Sequence, residues 1–133
     1  MAVSFDNPSA VKGLGTDATR ISRFRSMSDP VRERMARKIL SEDEMAVYRA
    51  AKDPCVSLAR SFCQKECVSK CLGTGYSNGV HFSDIIIKRD PLGRPTVWLQ
   101  KGAQKRAEEL GMKSIMISLT DEGDTVICVC IGM

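Results

Sequence analysis

Four charged side chains in this sequence could serve one reaction. Lys65, Glu66 and Lys70 lie within the run FCQKECVSKCLGTG (residues 62–75), and Asp17 follows the glycines of VKGLGTD. On a helix, Glu66 and Lys70 are i, i+4 neighbours on one face, and Lys65 sits about 100° round from Glu66. A carboxylate between ammonium groups suits phosphate and a hard cation. Mg²⁺ takes one or two carboxylates and fills its octahedron with water and substrate phosphates. Asp17, closing a short strand, can point across the fold towards such a helix and supply the second carboxylate. The run ends in Gly73-Thr74-Gly75, where glycines let backbone approach a ligand closely. A helix C-terminus is the negative end of the dipole, so phosphate bound there needs cations, and Lys65, Lys70 and Mg²⁺ are the candidates. GLG and GTG are too short to be a Walker A loop or a dinucleotide fingerprint.

The same run suggests a competing chemistry. Cys63, Cys67 and Cys71 recur every four residues, and Cys128 and Cys130 share one face of a strand. There is no CxxC and a single histidine, His81. A tetrahedral zinc site usually shows paired ligands at short spacing, so these cysteines read as small, buried, apolar residues. Without a secretion signal they are expected to be free thiols.

The 133 residues suit one domain, and a hydrophobic content of 43% suits a globular one. We expect a short N-terminal extension over residues 1–10 and a single domain over 11–133. No run approaches the ~18 apolar residues of a membrane span, and MAVSFDNPSAVK has no apolar block resembling a signal peptide. The expected location is the cytoplasm, or an organelle matrix if a presequence was removed. The net charge of +4 is modest, but seven basic residues fall between Arg20 and Lys38. That pole favours an acidic partner. A nucleic-acid module is the weaker alternative, because only four Phe, two Tyr and one Trp are spread over the chain.

The elements that must hold these residues can be outlined. VKGLGTD reads as a strand ending at its acid. Ile21 to Leu40 is helical with a break at Asp29-Pro30, where Asp29 would cap the second helix. Ser41 and Glu44 form a capping box for a helix to about Ala51. Asp53-Pro54 starts a helix that should stop at Gly73. DIIIKRD and PTVWLQ are strands joined by DPLGR, KGAQKRAEELG is a helix, and KSIMISLT and TVICVCIGM form a hairpin around DEGD. The last strand is apolar on both faces and so needs two covers, one of which could be another subunit. The expected class is α+β, with helices packed on a mostly antiparallel sheet.

Taken together, these motifs resemble one family, the small bacterial-type 4′-phosphopantetheinyl transferases. Its signature F-x-x-K-E-x-x-x-K corresponds to Phe62, Lys65, Glu66 and Lys70, with the glycine turn after it, and G-[IL]-G-x-D corresponds to Gly13–Asp17. ARKILSEDE, FSDIIIKRDPLGRPTVWL and ELGMKSIMISLTDEGDTVICVCI resemble three further family segments, so the likeness spans about residues 11 to 131. The resemblance implies transfer of 4′-phosphopantetheine from coenzyme A, as substrate, to a serine of an acyl carrier protein. It implies Asp17 and Glu66 as Mg²⁺ ligands, and Lys65 and Lys70 as phosphate contacts. The proton acceptor could be Asp17, Glu66 or Lys70. Gly73, Thr74 and Gly75 would lie beside the nucleotide, and Ser118, Thr120 and Asp121 near the coenzyme. Arg23, and less directly Arg34, would dock the carrier protein. The assembly would be a homotrimer with sites between subunits, with no nucleic-acid or membrane partner.

The chain also departs from the family pattern. Arg20 stands where an acid is usual. Ser61 stands where an arginine is usual, with Arg60 one position away. Cys63, Gln64 and Cys67 replace alanines, and Asp121 replaces a common histidine. A non-catalytic coenzyme A or nucleotide binder is therefore the alternative function.

Overall fold

The computed structural model describes residues 1–5 and 10–133, so the expected extension over residues 1–10 falls partly outside the described residues. The order of elements is β1 (Gly13–Arg20), α1 (Ile21–Arg25), α2 (Asp29–Ile39), α3 (Glu42–Ala50), α4 (Pro54–Cys71), a 3-10 turn (Phe82–Asp84), β2 (Ile85–Arg89), β3 (Pro95–Leu99), α5 (Lys101–Glu109), β4 (Ile115–Glu122) and β5 (Thr125–Gly132). The class is α+β, and every strand pair is antiparallel. The strands form two sheets instead of one: a three-stranded sheet in the order β1-β5-β4, and the separate hairpin β2-β3.

Helix α4 occupies the centre. Asp53 starts it by accepting from the amides of Cys55 and Val56, and its chain direction reverses after Leu72 through Gly73, whose φ is +76°. One side of α4 lies on the three-stranded sheet. On β1, Gly13, Gly15, Asp17 and Thr19 share a face by strand alternation, and that face meets the helix. A β-carbon at Gly15 would come well inside 3.0 Å of the Cys67 carbonyl oxygen, and one at Gly13 would overlap the Cys71 carbonyl oxygen. These glycines therefore serve close packing of strand on helix, and Asp17 is the first long side chain on that face.

Cys63, Cys67, Cys71, Cys128 and Cys130 fill the same interface as buried free thiols. The sulfurs of Cys67 and Cys130 lie 3.4 Å apart, and burial pushes the Cys63 thiol up to about 12. A cysteine is close to alanine in size but fills more space, which suits a sheet brought this near by glycines.

Two local expectations are corrected. β1 does not end at Asp17. It pairs with β5 in register from Gly13↔Gly132 to Arg20↔Thr125, which carries it three residues further. The cap of α2 is Ser28, whose hydroxyl accepts from the Val31 amide, while Asp29 lies inside the first turn and pairs with Arg32. The last strand is covered on one face only in this single chain. Val126, Cys128 and Cys130 are buried, whereas Ile127, Val129 and Ile131 are exposed beside Met116 and Leu14. Among the described residues, no helix is long and apolar enough to cross a membrane.

Candidate active site

Asp17 and Glu66 line one cleft of about 430 Å³, together with Ala18, Thr19, Arg20, Arg23 and Phe62. The two carboxylates reach it from different directions. Asp17 projects from β1 beyond the glycine notch, and Glu66 projects from the flank of α4 between Phe62 and Lys70, each one helical turn away. Lys70 Nζ donates to Asp17 Oδ1 at 2.9 Å, and the Thr19 hydroxyl donates to Asp17 Oδ2 at 3.1 Å. The Asp17 side chain is only 13% exposed, while Lys70 is 51% exposed and reaches in from solvent. That hydrogen bond raises the Lys70 pKa, so the ammonium stays charged at neutral pH.

Glu66 is half-buried. Burial raises its pKa first, and the charge of Asp17 raises it further, against opposing effects of Lys70 and Arg23. Two carboxylates in one cleft, one of which disfavours ionisation of the other, form a donor set that a divalent cation relieves. Among the described residues, no three His, Cys, Asp or Glu side chains converge into an all-protein cage. A pair of carboxylates fits Mg²⁺, which keeps most of its shell as water and substrate oxygen.

The arginines at the cleft differ from most others in the chain. The Arg23 guanidinium sits 4.8 Å from the Phe62 ring centroid. Neither Arg20 nor Arg23 makes an ion pair with a described residue, whereas Arg25, Arg32, Arg37, Arg49 and Arg60 each do. Arg34 lies exposed on α2, away from the lining of this cleft.

Lys65 is placed elsewhere than the sequence led us to expect. Its side chain is 0% exposed. Its ammonium donates to Glu44 Oε1 at 2.9 Å, to the Phe82 carbonyl at 3.0 Å and to the Ile85 carbonyl. All three donors of an ammonium are thus used inside the protein, and none faces a cleft. Burial lowers its pKa, opposed by the charge of Glu44. The residue missed by sequence reasoning is this Glu44, which the capping box had accounted for locally.

The expected coenzyme residues also separate. Asp121 lies on the α4 side of β4 and accepts from Arg60 Nε at 2.9 Å and from Arg60 Nη2. Ser118 and Thr120 point to the opposite face, where they lie across from Val129 and Ile127 of β5. Within one chain that face is turned away from the Asp17–Glu66 cleft. Gly75, with φ +57° and nothing within 4 Å of a notional β-carbon, is needed for its backbone conformation and not for space.

A larger groove of about 730 Å³ runs along the other flank of α4. Its cations are Lys52, Arg60, Lys88 and Arg89, its carboxylates are Asp43, Glu44 and Asp53, and its apolar lining includes Val47, Val56 and Ile86. Ser61 opens onto it, so the small residue widens the groove beside the arginine that Asp121 holds. The size falls within the range of small-molecule sites, and because Glu44 and Asp53 are paired with Lys65 and Arg25, the four cations outnumber the remaining Asp43 and suit an anionic ligand with a flat or aliphatic part.

Known proteins of similar sequence and fold are holo-[acyl-carrier-protein] synthases. The sequence profile of the 4′-phosphopantetheinyl transferase superfamily matches residues 13–130. A holo-[acyl-carrier-protein] synthase from Yersinia pestis (strain Pestoides F) is 42% identical over 113 residues, covering 85% of this chain and 90% of that protein. The crystal structure of the holo-[acyl-carrier-protein] synthase from Neisseria meningitidis superposes with a TM-score of 0.85 at 31% identity, over 92% of this chain and 98% of that one. The Helicobacter pylori synthase, solved in complex with coenzyme A, shares the fold with a TM-score of 0.77 at 24% identity, over 90% of this chain and 99% of that one. A profile that spans both charged motifs, and a relative this similar over most of its length, place the chain: it belongs to the 4′-phosphopantetheinyl transferase superfamily.

Proposed function

We propose that this chain transfers 4′-phosphopantetheine from coenzyme A to a serine of an apo-acyl carrier protein, releasing adenosine 3′,5′-bisphosphate. The observation that carries this reading is the convergence of Asp17 and Glu66 on one cleft, with Lys70 hydrogen-bonded to Asp17. In the reaction the serine oxygen forms a bond to the phosphorus that bears the pantetheine arm, and the bond from that phosphorus to the bridging oxygen breaks. Charge builds on oxygens that preorganised cations stabilise. Asp17 and Glu66 are the residues that would hold Mg²⁺. Bound there, it would draw charge from the phosphoryl oxygens and orient them. Lys70, kept protonated by Asp17, serves as a donor to phosphate oxygen and not as the base. That leaves the carboxylates of Asp17 and Glu66 as acceptors for the serine proton.

The groove lined by Lys52, Arg60, Lys88 and Arg89 is the place we assign to the coenzyme's nucleotide. Asp121 acts there through Arg60, because a carboxylate repels phosphate while a guanidinium fixed by it attracts one. Leu14, Met116, Ile127, Val129 and Ile131 form an exposed apolar face on the three-stranded sheet. We take it as the contact of a homotrimer, which would turn Ser118 and Thr120 towards a neighbouring subunit's site.

The direct test is intact mass of an apo-acyl carrier protein incubated with the chain, coenzyme A and Mg²⁺. A gain of one phosphopantetheine group supports transfer. Coenzyme A binding without that gain would make the chain a non-catalytic binder.

Carrier docking gives a second expectation. Carrier proteins are acidic, and Arg23 and Arg34 are exposed and make no ion pair with a described residue. Docking by such charges acts on encounter and fades as salt screens it. Arg23→Glu is expected to raise the apparent KM for carrier protein severalfold at low ionic strength. The effect should shrink at high salt, and the KM for coenzyme A should stay nearly constant. Steady-state kinetics at two ionic strengths checks this. An unchanged carrier KM at low salt would remove Arg23 from the docking surface.

A further inference from the structure

Resting on the transfer reaction proposed above, we propose that the buried pair of Lys65 and Glu44 is a positioning device, which sets the roll of α4 and thereby the place of Glu66 opposite Asp17. Lys65 is the residue immediately before Glu66. Its ammonium ties the middle of α4 to α3 through Glu44, to the 3-10 turn through the Phe82 carbonyl and to β2 through the Ile85 carbonyl. Glu44 extends the tie. Its Oε1 also accepts from the Ser41 amide at 2.9 Å, and its Oε2 accepts from the Ile87 amide at 3.1 Å. One ion pair thus joins the N-terminus of α3, the centre of α4 and the start of the β2-β3 hairpin, with Lys65 fully buried and Glu44 at the wall of the larger groove.

These bonds pull on the face of α4 that turns away from the three-stranded sheet. On the sheet side the helix is held by cysteines and glycines, whose contacts are close but short. The Lys65–Glu44 knot supplies directional bonds on the other side. The geometric lever is simple. A side-chain tip about 6 Å from a helix axis moves by about 1 Å when the helix rolls by roughly 10°. A misplacement of about 1 Å can cost on the order of a hundredfold in rate. The knot also reaches the cleft by a second route. Phe82, whose carbonyl Lys65 holds, packs its ring 5.8 Å from that of Phe62, which lines the cleft under Arg23.

Glu44→Gln combined with Lys65→Met removes both charges together, so neither is left buried alone. The expected result is a folded chain with kcat lowered about 10- to 100-fold. The KM for carrier protein should stay within about twofold, since no carrier contact is removed, and kcat should fall by more than any rise in the KM for coenzyme A, whose assigned groove Glu44 also lines. The Mg²⁺ concentration that half-saturates the rise in thermal midpoint, read without substrate, should increase severalfold. A folded double variant with wild-type kcat and wild-type Mg²⁺ response would overturn the positioning role. So would a loss confined to coenzyme A affinity, which would make the pair part of the groove's lining and not a positioning device. If the double variant does not fold, Glu44→Asp decides. It keeps the charge and shortens the reach by one methylene, and it should show the same pattern in weaker form. A folded Glu44→Asp with unaltered kcat and Mg²⁺ response would overturn the role equally. Wild-type chain in the same assay separates the levels: its failure to transfer would overturn the function itself, whereas wild-type transfer with an unaffected variant overturns only the positioning.

Discussion

Glu66→Gln is expected to lower transfer by about 10²- to 10³-fold, the scale found when one preorganised electrostatic group is lost from an active site. The substitution keeps the shape and removes the charge. Its effect on stability should run the other way. The Glu66 pKa is raised in the folded chain, by burial first and by Asp17 second. A carboxyl with a folded pKa above its unfolded value destabilises the fold once pH passes the unfolded pKa. That penalty builds as pH rises from the unfolded pKa through the raised folded pKa, and glutamine removes it. The thermal midpoint of Glu66→Gln should therefore equal or exceed that of the wild type while activity collapses. Intact-mass kinetics and a melting curve on the same sample check both halves. Wild-type activity with unchanged Mg²⁺ dependence would remove Glu66 from the metal site. Asp17→Asn should lose activity similarly but gain no stability, because it also gives up the bond from Lys70.

The opposition of activity and stability at Glu66 follows from features that were legible in the sequence. An i, i+4 spacing placed Glu66 and Lys70 on one helical flank. The alternation Gly13, Gly15, Asp17 placed the acid on one face of a strand. What joins them is the depth of the glycine notch, because strand and helix backbones nearly touch there. Lys65 was misjudged for a physical reason. Lysine is almost never fully buried unless paired, and its partner Glu44 lies 21 residues away in sequence. Nothing in the local pattern links them, and the capping box gave Glu44 a sufficient local role. The opposed facing of Asp121 and Ser118 could have been read from alternation, since Ile117 and Leu119 mark the inward parity of β4. The division into two sheets could not, because hydrophobic period fixes which face of a strand is buried and leaves open which strand lies beside it. The expectation of two apolar faces on β5 was sound as a pattern. In one chain its second face lacks a cover, and that exposed face makes assembly part of the functional proposal.

Gly15→Ala is expected to have a large effect on the fold for the addition of a single methyl group. The new β-carbon would meet the Cys67 carbonyl oxygen far inside contact distance, and the Cys71 amide nitrogen at 2.8 Å. Both are helix backbone, which cannot rotate away as a side chain can. β1 must then lift from α4, opening the interface that the cysteines fill. Overpacking of a tight core typically costs about 1–3 kcal/mol and occasionally more. Contact with backbone on both sides puts this site at or above the top of that range. For a chain of this size a loss of about 3 kcal/mol lowers the thermal midpoint by roughly 10 °C. Gly75→Ala is the contrast within the same pair of motifs. Its φ of +57° strains an alanine, but nothing lies within 4 Å, so it should cost only about 1–2 kcal/mol. Activity should follow the same division. Lifting β1 withdraws Asp17, two residues beyond Gly15, from Glu66, so whatever Gly15→Ala protein remains folded should transfer poorly even below its melting temperature. Melting curves of the two variants, with transfer rates measured well below both midpoints, check the prediction. A Gly15→Ala chain as stable as the wild type would mean that strand and helix do not meet this closely, and the reason for a glycine before the acid would have to be sought in the ligand instead.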